Sequence, residues 1–312
     1  MTATIPPQHP QAESARENDA YWAYTSGCGL CVEATTCPDS PVLERFFEGY
    51  DRAFVLPDER EEIAGFRECL TLNQSWRHAF GRTQCELVVT FSDPGGTQLA
   101  GANFLSTALD CGVGTPCAAI ALNYVFVEAA ARGRGLLRRI IVIIRELALL
   151  SLDLRSDAGQ PGPAIFIEQN DPVKMSADNY RRDTLHSGMD QVDRLAIWSR
   201  VGARVVDFPY IQPALSREQS ADDGLIYAAV EYPGDAIPAP VLYDHLESFF
   251  GISVLKGKLP MTDPVAAAQL DQLRSRDTPI ALLSLDGALD RLRDDPTGAR
   301  GHASLCAFLK AG

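Results

Sequence analysis

The six residues Arg132-Gly133-Arg134-Gly135-Leu136-Leu137 put two glycines and two arginines between a strand-like run, Ala118 to Val127, and an apolar helix-like run reaching about Leu152. That order suits phosphate binding. Glycines let the backbone approach an anion, the unpaired amides of a helix start point at it, and the helix dipole favours its charge. Arg138 and Arg139 follow in the first helical turn, so four cations surround the place where a pyrophosphate would sit. A second cluster is Cys28, Cys31 and Cys37, in which Cys-x-x-Cys spacing lets two thiolates reach one zinc ion. A structural zinc site needs four ligands, and neither a second Cys-x-x-Cys nor a paired-histidine motif accompanies these three. The expectation is free thiols without a metal, with His186 and His245 as ordinary surface or core residues.

The rest of the chain supplies elements to hold the turn. Residues 1–40 read as a flexible leader (1–19) followed by an irregular, cysteine-containing segment from Tyr21 to Ser40. Val42, Phe46, Phe47 and Tyr50 recur at helical spacing, and Pro57-Asp58-Glu59-Arg60 opens a second helix reaching about His78. Cys85 to Phe91 and Leu99 to Leu105 flank the turn sequence Ser92 to Thr97 and predict a hairpin, to which Ala118–Val127 adds a strand. After the helix from about Gly135 to Leu152 come a Gly/Pro-rich loop (157–163) and a strand from Ala164 to Glu168. A helix carrying Leu195, Ile197 and Trp198, a strand from Ala203 to Tyr210, another from Leu225 to Tyr232 and a helix from Val241 to Phe250 complete the legible part. This divides the chain into 1–40, a core at 41–232, and an extension at 233–312 packed on that core.

Composition narrows the function. At 312 residues the chain exceeds the common single-domain size, and 46% hydrophobic with 22% charged residues is a globular balance. A formal charge of −13 argues against a general nucleic-acid binder, because phosphate neutralisation needs a basic face. It would draw a cationic amine toward the acidic remainder. The longest apolar run, Leu136 to Leu154, is broken by Arg138, Arg139, Arg145, Glu146 and Asp153, so it reads as a buried helix and not as a membrane span. No apolar stretch follows a basic start, and a cytoplasmic protein with reduced cysteines is expected.

At the Arg132–Leu137 turn the sequence resembles the GNAT N-acetyltransferase superfamily, whose signature is [Gln/Arg]-x-x-Gly-x-[Gly/Ala] at a strand-to-helix junction. Arg132 and Gly135 match, and Leu137 stands at the third position in place of Gly or Ala. The order of elements over residues 41–232 is also similar. The resemblance implies an α/β (α+β) GNAT fold, with a mixed, mostly antiparallel sheet of about seven strands and helices on both faces. It implies that acetyl-CoA or another acyl-CoA is the donor, its pantetheine arm inserted between the motif strand and the next. Backbone groups of Phe126, Val127 and Glu128 would hold the arm, and the turn Arg132, Gly133, Arg134, Gly135, Leu136 and Leu137 would hold the pyrophosphate.

Direct transfer to a small-molecule amine in a ternary complex then needs a base and an acid, and no metal. Glu168 is the first candidate base, with Asn170 and Asp171 beside it, and Glu128 the second. Tyr210, Tyr180, Tyr124 and Asn123 are the other candidates near the expected centre. The resemblance leaves open a carrier-protein or aminoacyl-tRNA donor, and also a non-catalytic acyl-CoA sensor or interaction module. A homodimer is compatible with it, while nucleic-acid and membrane partners are not expected.

Overall fold

The computed structural model describes residues 20–54, 60–110, 112, 114–155, 161–215, 219–295 and 299–311. In chain order the strands are β1 (Tyr21–Thr25), β2 (Cys31–Thr35), β3 (Gln84–Ser92), β4 (Gln98–Ala108), β5 (Ala118–Val127), β6 (Ala164–Asn170), β7 (Ala203–Val206), β8 (Leu225–Val230), β9 (Ala236–Ile237) and β10 (Ile280–Leu283). The helices are α1 (Pro41–Ala53), α2 (Ile63–Ser75), α3 (Leu136–Ser151), α4 (Ala177–Ser187), α5 (Gln191–Arg200), α6 (Ala239–Phe249), α7 (Pro264–Arg274), α8 (Ala288–Asp294) and α9 (Leu305–Ala311). All ten strands join one sheet in the order β1-β2-β3-β4-β5-β6-β8-β7-β10-β9. Each neighbouring pair is antiparallel except β5 with β6. That parallel pair needs a crossover, which α3 provides.

Side chains alternate across the sheet and recruit helices to both faces. Ile120 and Ile165 point to the side where α3 buries Ile140, Ile144 and Leu147 and α5 buries Trp198. Ala119, Ala121 and Phe166 point to the other, against Leu242 and Leu246 of α6 and Leu270 of α7. On that second face α1 and α2 cover Val88 and Phe126 with Leu43, Phe46 and Phe66. The start of α1 is set locally: Pro41 occupies its first turn, and the Ser40 side chain accepts a hydrogen bond from the Val42 amide at 3.2 Å. This is the mixed, mostly antiparallel sheet with flanking helices that the acyltransferase resemblance implies, with additional C-terminal elements.

Several expectations are corrected. The segment read as irregular, Tyr21 to Ser40, holds the hairpin β1–β2, which extends the sheet through five β2–β3 pairs. Its two strands have only five residues each, and the Gly27–Gly29 turn between them is the signal that would have marked it. Among the described residues the sheet accordingly has ten strands and not about seven, two of them from beyond residue 232, where β10 pairs with β7. The second helix begins at Ile63 with Glu62 as its N-cap, and residues 57–59 of its anticipated start lie outside the described residues, as does the leader 1–19. Strand β7 stops at Val206, leaving Tyr210 in the segment that follows.

One glycine of β4 has a packing role that bears on the site. Gly101 lies directly opposite Phe126 in the β4–β5 ladder, and a Cβ built there would meet the Phe126 ring at 2.7 Å and Phe46 at 3.0 Å. Gly101→Ala is therefore expected to lower unfolding free energy by about 1–3 kcal/mol, the usual cost of overpacking a core. Urea denaturation monitored by circular dichroism would detect the shift in midpoint.

Candidate functional site

Pairing between β5 and β6 runs from Ala119↔Ala164 to Ala121↔Phe166 and stops there. The cause lies on the other side of β5. Phe104 of β4 stands opposite two residues, Leu122 and Asn123, because the register shifts between Asn103 and Leu105. Such a bulge bends and twists its strand. Beyond it β5 continues with β4 as far as Val127, while β6 continues with β8 as far as Asn170. The facing edges of the two strands therefore diverge, with backbone donors and acceptors free of the ladder. A cavity of about 720 Å³ opens in this wedge and reaches the turn before α3.

That turn has the conformation an anion site needs. Gly133 and Gly135 have φ of 78° and 68°, a left-handed backbone that costs other residues about 1–2 kcal/mol. Gly135 is the N-cap of α3 and no side chain caps the helix, which leaves its first amides available. A Cβ at either glycine would meet nothing within 4 Å, so the space over the turn is open. Arg132, Arg134, Arg138 and Arg139 are exposed around it. Arg132 Nε donates to the Val127 carbonyl at 3.2 Å, and Arg138 Nη2 donates to the Arg200 carbonyl at 2.6 Å. Among the described residues none of these four forms an ion pair, whereas Arg52, Arg82, Arg145 and Arg204 do. In a chain of net charge −13 this is a local reserve of unneutralised positive charge. Leu136 is buried and Leu137 half-buried against the α3 core, so what they can offer a ligand is backbone. The Phe126 side chain is likewise committed to the core, with Val127 half-buried beside it.

At the wedge, Glu168 of β6 lines the cavity and is held from behind. The buried Tyr210 hydroxyl donates to its Oε1, and Gln212 Nε2 donates to both carboxylate oxygens at 3.0 Å. Burial pushes this carboxyl up to about 7, against the lowering effect of those hydrogen bonds. Tyr210 itself is raised well above the ordinary tyrosine value by burial and by the Glu168 charge. It stacks on Tyr227 at 4.6 Å, and the Tyr227 hydroxyl meets His245 Nε2 at 2.6 Å. Desolvation lowers His245 to about 3, so the buried imidazole is neutral. Tyr124 of β5 lines the cavity opposite, between Tyr50, Phe54 and Phe66, and burial keeps its hydroxyl protonated.

The other anticipated residues lie elsewhere. Glu128 does not face the wedge: it pairs with Arg52 at 2.6 Å on the surface, while its amide continues the ladder to Leu99. Tyr180 of α4 donates to Asp190 at 2.7 Å, outside this cavity. Asp171 accepts from the amides of Val173 and Leu305, which makes it a structural cap. Cys28 is exposed and Cys31 and Cys37 are half-buried, and among the described residues no group of three or more histidine, cysteine or acidic side chains could hold a metal ion. Among the described residues no helix is long and apolar enough to cross a membrane.

Sequence reading missed three contributors to the cavity region. Glu61 and Asp222 add acid to the lining, and Glu61 is tied to Lys256 at 2.5 Å. Glu86 lies 1% exposed beneath the floor, where its charge inside the apolar run of β3 was the available signal. The lining holds Arg132 and Arg138 at the turn with Arg200 beside Arg138, and also Glu61, Asp183, Glu168 and Asp222.

No family model matches the chain, and no curated protein matches its sequence. Its fold aligns with solved N-acetyltransferases at a distance. A spermidine N-acetyltransferase variant from Vibrio cholerae shares 10% identity over 65% of this chain and 94% of the other, with a TM-score of 0.33. An aminoglycoside 6'-N-acetyltransferase complexed with coenzyme A shares 11% identity over 61% of this chain and 91% of the other, with a TM-score of 0.33. Likenesses this remote carry nothing about what this chain binds.

Proposed function

We propose that the chain is an acyl-CoA-dependent N-acyltransferase, with acetyl-CoA as donor, that transfers the acyl group directly to a primary amine in a ternary complex. The observation that carries this reading is the continuity of three features: the bulge at Leu122–Asn123, the wedge it opens between β5 and β6, and the glycine turn where the wedge ends, with exposed arginines that form no ion pair among the described residues. Free strand edges suit the amides of a pantetheine arm, and the turn suits its pyrophosphate. A carrier-bound phosphopantetheine would use the wedge but leave the arginines idle, which favours the nucleotide-bearing donor.

Glu168 is the general base in this reading. Its raised position keeps it near the working pH, where a base is most effective. It removes one proton from the incoming ammonium; the neutral nitrogen then bonds to the acyl carbon as the carbon–sulfur bond breaks, its second proton passes to solvent as the amide forms, and solvent restores the proton that the acid gives to sulfur. Tyr210 and Gln212 hold the carboxylate in place, and Tyr124, protonated and on the opposite wall, donates to the departing sulfur. The acidic residues of the lining favour a cationic amine.

The test is release of free thiol from acetyl-CoA in the presence of a panel of cationic primary amines, followed by mass spectrometry of the acylated product. Amine-dependent thiol release with intersecting double-reciprocal lines is expected. Parallel lines would replace direct attack with a covalent acyl-enzyme, and donor binding without transfer to any amine would favour a sensor.

A further inference from the structure

Glu86 is a buried carboxylate that the proposed chemistry does not use, with 1% of its surface exposed. Its main chain is clasped by Asn73 of α2, whose Nδ2 donates to the Glu86 carbonyl at 2.9 Å and whose Oδ1 accepts from the Glu86 amide at 2.8 Å. Its side chain takes donors from three separate stretches of chain. Asn103 Nδ2 of β4 lies at 2.6 Å and Asn123 Nδ2 of β5 at 3.0 Å from Oε1, and Ser253 Oγ, from the turn after α6, lies at 3.2 Å from Oε2. All three partners line the cavity, and Asn123 is one of the two residues of the bulge that opens the wedge.

A buried carboxylate is costly to keep, and an apolar residue of similar volume often serves stability better. The Asn123 amide shows what the carboxylate imposes here. Its Nδ2 is turned toward Glu86, Asn103 Oδ1 at 3.2 Å and Ser253 Oγ at 3.2 Å, all acting as acceptors. Its Oδ1 is left buried with no partner among the described residues. An orphan acceptor of this kind is unfavourable, and a 180° turn of the amide would relieve it only if the neighbours at Glu86 Oε1 and Asn103 Oδ1 could donate. An ionised carboxylate cannot.

Resting on the proposed transferase reading, we propose that Glu86 is a positioning residue for acyl transfer, acting through Asn123 on the β5 bulge and through Ser253 on the cavity wall built by the C-terminal part of the chain. The carboxylate fixes one orientation of the Asn123 amide, and so the course of β5 where it leaves β6. It also fastens Ser253, and with it the turn at residues 250–254, against the sheet. Cys69 of α2 and Cys85 of β3 feel the Glu86 charge and are both held protonated by burial, while Lys256 and Glu61, which also act on Cys69, are paired with each other. Ionisation of the cluster therefore belongs to Glu86, which desolvation raises to about 7.

The variants Glu86→Gln, Ser253→Ala and Ser253→Thr test this in the full-length protein, with acetyl-CoA affinity, kcat, KM and the pH dependence of kcat/KM measured for each. Glu86→Gln supplies a donor at this position and frees the Asn123 amide to turn. It is expected to lower kcat about tenfold while acetyl-CoA affinity stays within about threefold, because the arginine turn is untouched. Because protonation of Glu86 removes the same charge as Glu86→Gln, the acid limb of the wild-type profile should be steeper than a slope of one over about one pH unit, and in Glu86→Gln should keep a slope of one. Ser253→Ala should lower kcat comparably, Ser253→Thr should restore it, and the double variant Glu86→Gln/Ser253→Ala should be no worse than the poorer single variant. Unchanged kcat and slope in variants that bind acetyl-CoA would overturn the positioning role and leave the transferase reading standing. A wild type that neither binds nor transfers would remove both.

Discussion

Replacing Glu168 by glutamine is expected to lower kcat by about 10²–10⁴, the range that a positioned general base contributes. Glutamine keeps the size of the side chain and an oxygen able to accept from Tyr210 and Gln212, so the fold and the donor site should persist. What it lacks is the basic lone pair facing the cavity. The pH profile separates this from a packing defect. In the wild type the carboxyl is held at about 7 by burial, so kcat/KM should climb as pH rises through that value and the carboxylate forms. In Glu168→Gln the limb belonging to this group disappears and the residual rate follows only what remains. The stability sign is the opposite of that for a salt-bridged carboxylate. A folded value above the unfolded one means that the native state binds the proton more tightly, so this contribution is complete below about pH 4.5 and fades as pH rises through about 7. Glu168→Gln and Glu86→Gln should therefore gain in thermal midpoint relative to wild type as pH is raised from 5 to 8.

The double variant Arg132→Ala/Arg134→Ala should weaken acetyl-CoA binding about a hundredfold, at about 1.4 kcal/mol for each charge-assisted contact removed. These side chains are exposed and make no ion pair among the described residues, so their loss should leave the thermal midpoint within about 1 °C. Wild-type affinity should also fall as salt is raised from 50 to 300 mM, and the variant should lose most of that dependence. A variant with unchanged affinity would shift the pyrophosphate away from the turn.

The parts of the site that were legible in sequence are the local ones. A glycine turn between a strand and a helix states its own geometry, and Gly133 and Gly135 adopt the left-handed backbone that such a turn requires. The sequence reading of strand β5 has the observed ends, because Ile120, Tyr124, Val125, Phe126 and Val127 favour a strand and the glycine turn follows directly. Glu168 and Tyr210 were named separately, and only the folded chain joins them across 42 positions. Glu128 was misjudged because strand alternation alone does not say which edge a terminal residue faces, and Arg52 of α1 stands ready to pair with it. The bulge left no mark, since Leu122 and Asn123 fit a regular strand as well as an irregular one. Ser253 carries no signal either: its place depends on how the chain beyond residue 232 returns to the sheet, a matter of long-range packing. Glu86 was visible as a charge within an apolar strand, and weighing it would have found the cluster.

The most direct test of the account is calorimetric titration of acetyl-CoA into the purified wild-type protein, beside titration with acetyl-pantetheine, which lacks the pyrophosphate and nucleotide. One site per chain with a dissociation constant on the order of micromolar is expected for acetyl-CoA, and at least about a hundredfold weaker binding for acetyl-pantetheine, because the arginine turn would then have nothing to hold. Equal affinity for the two would contradict the pyrophosphate assignment, and no heat with either in a folded sample would contradict the acyl-CoA site altogether.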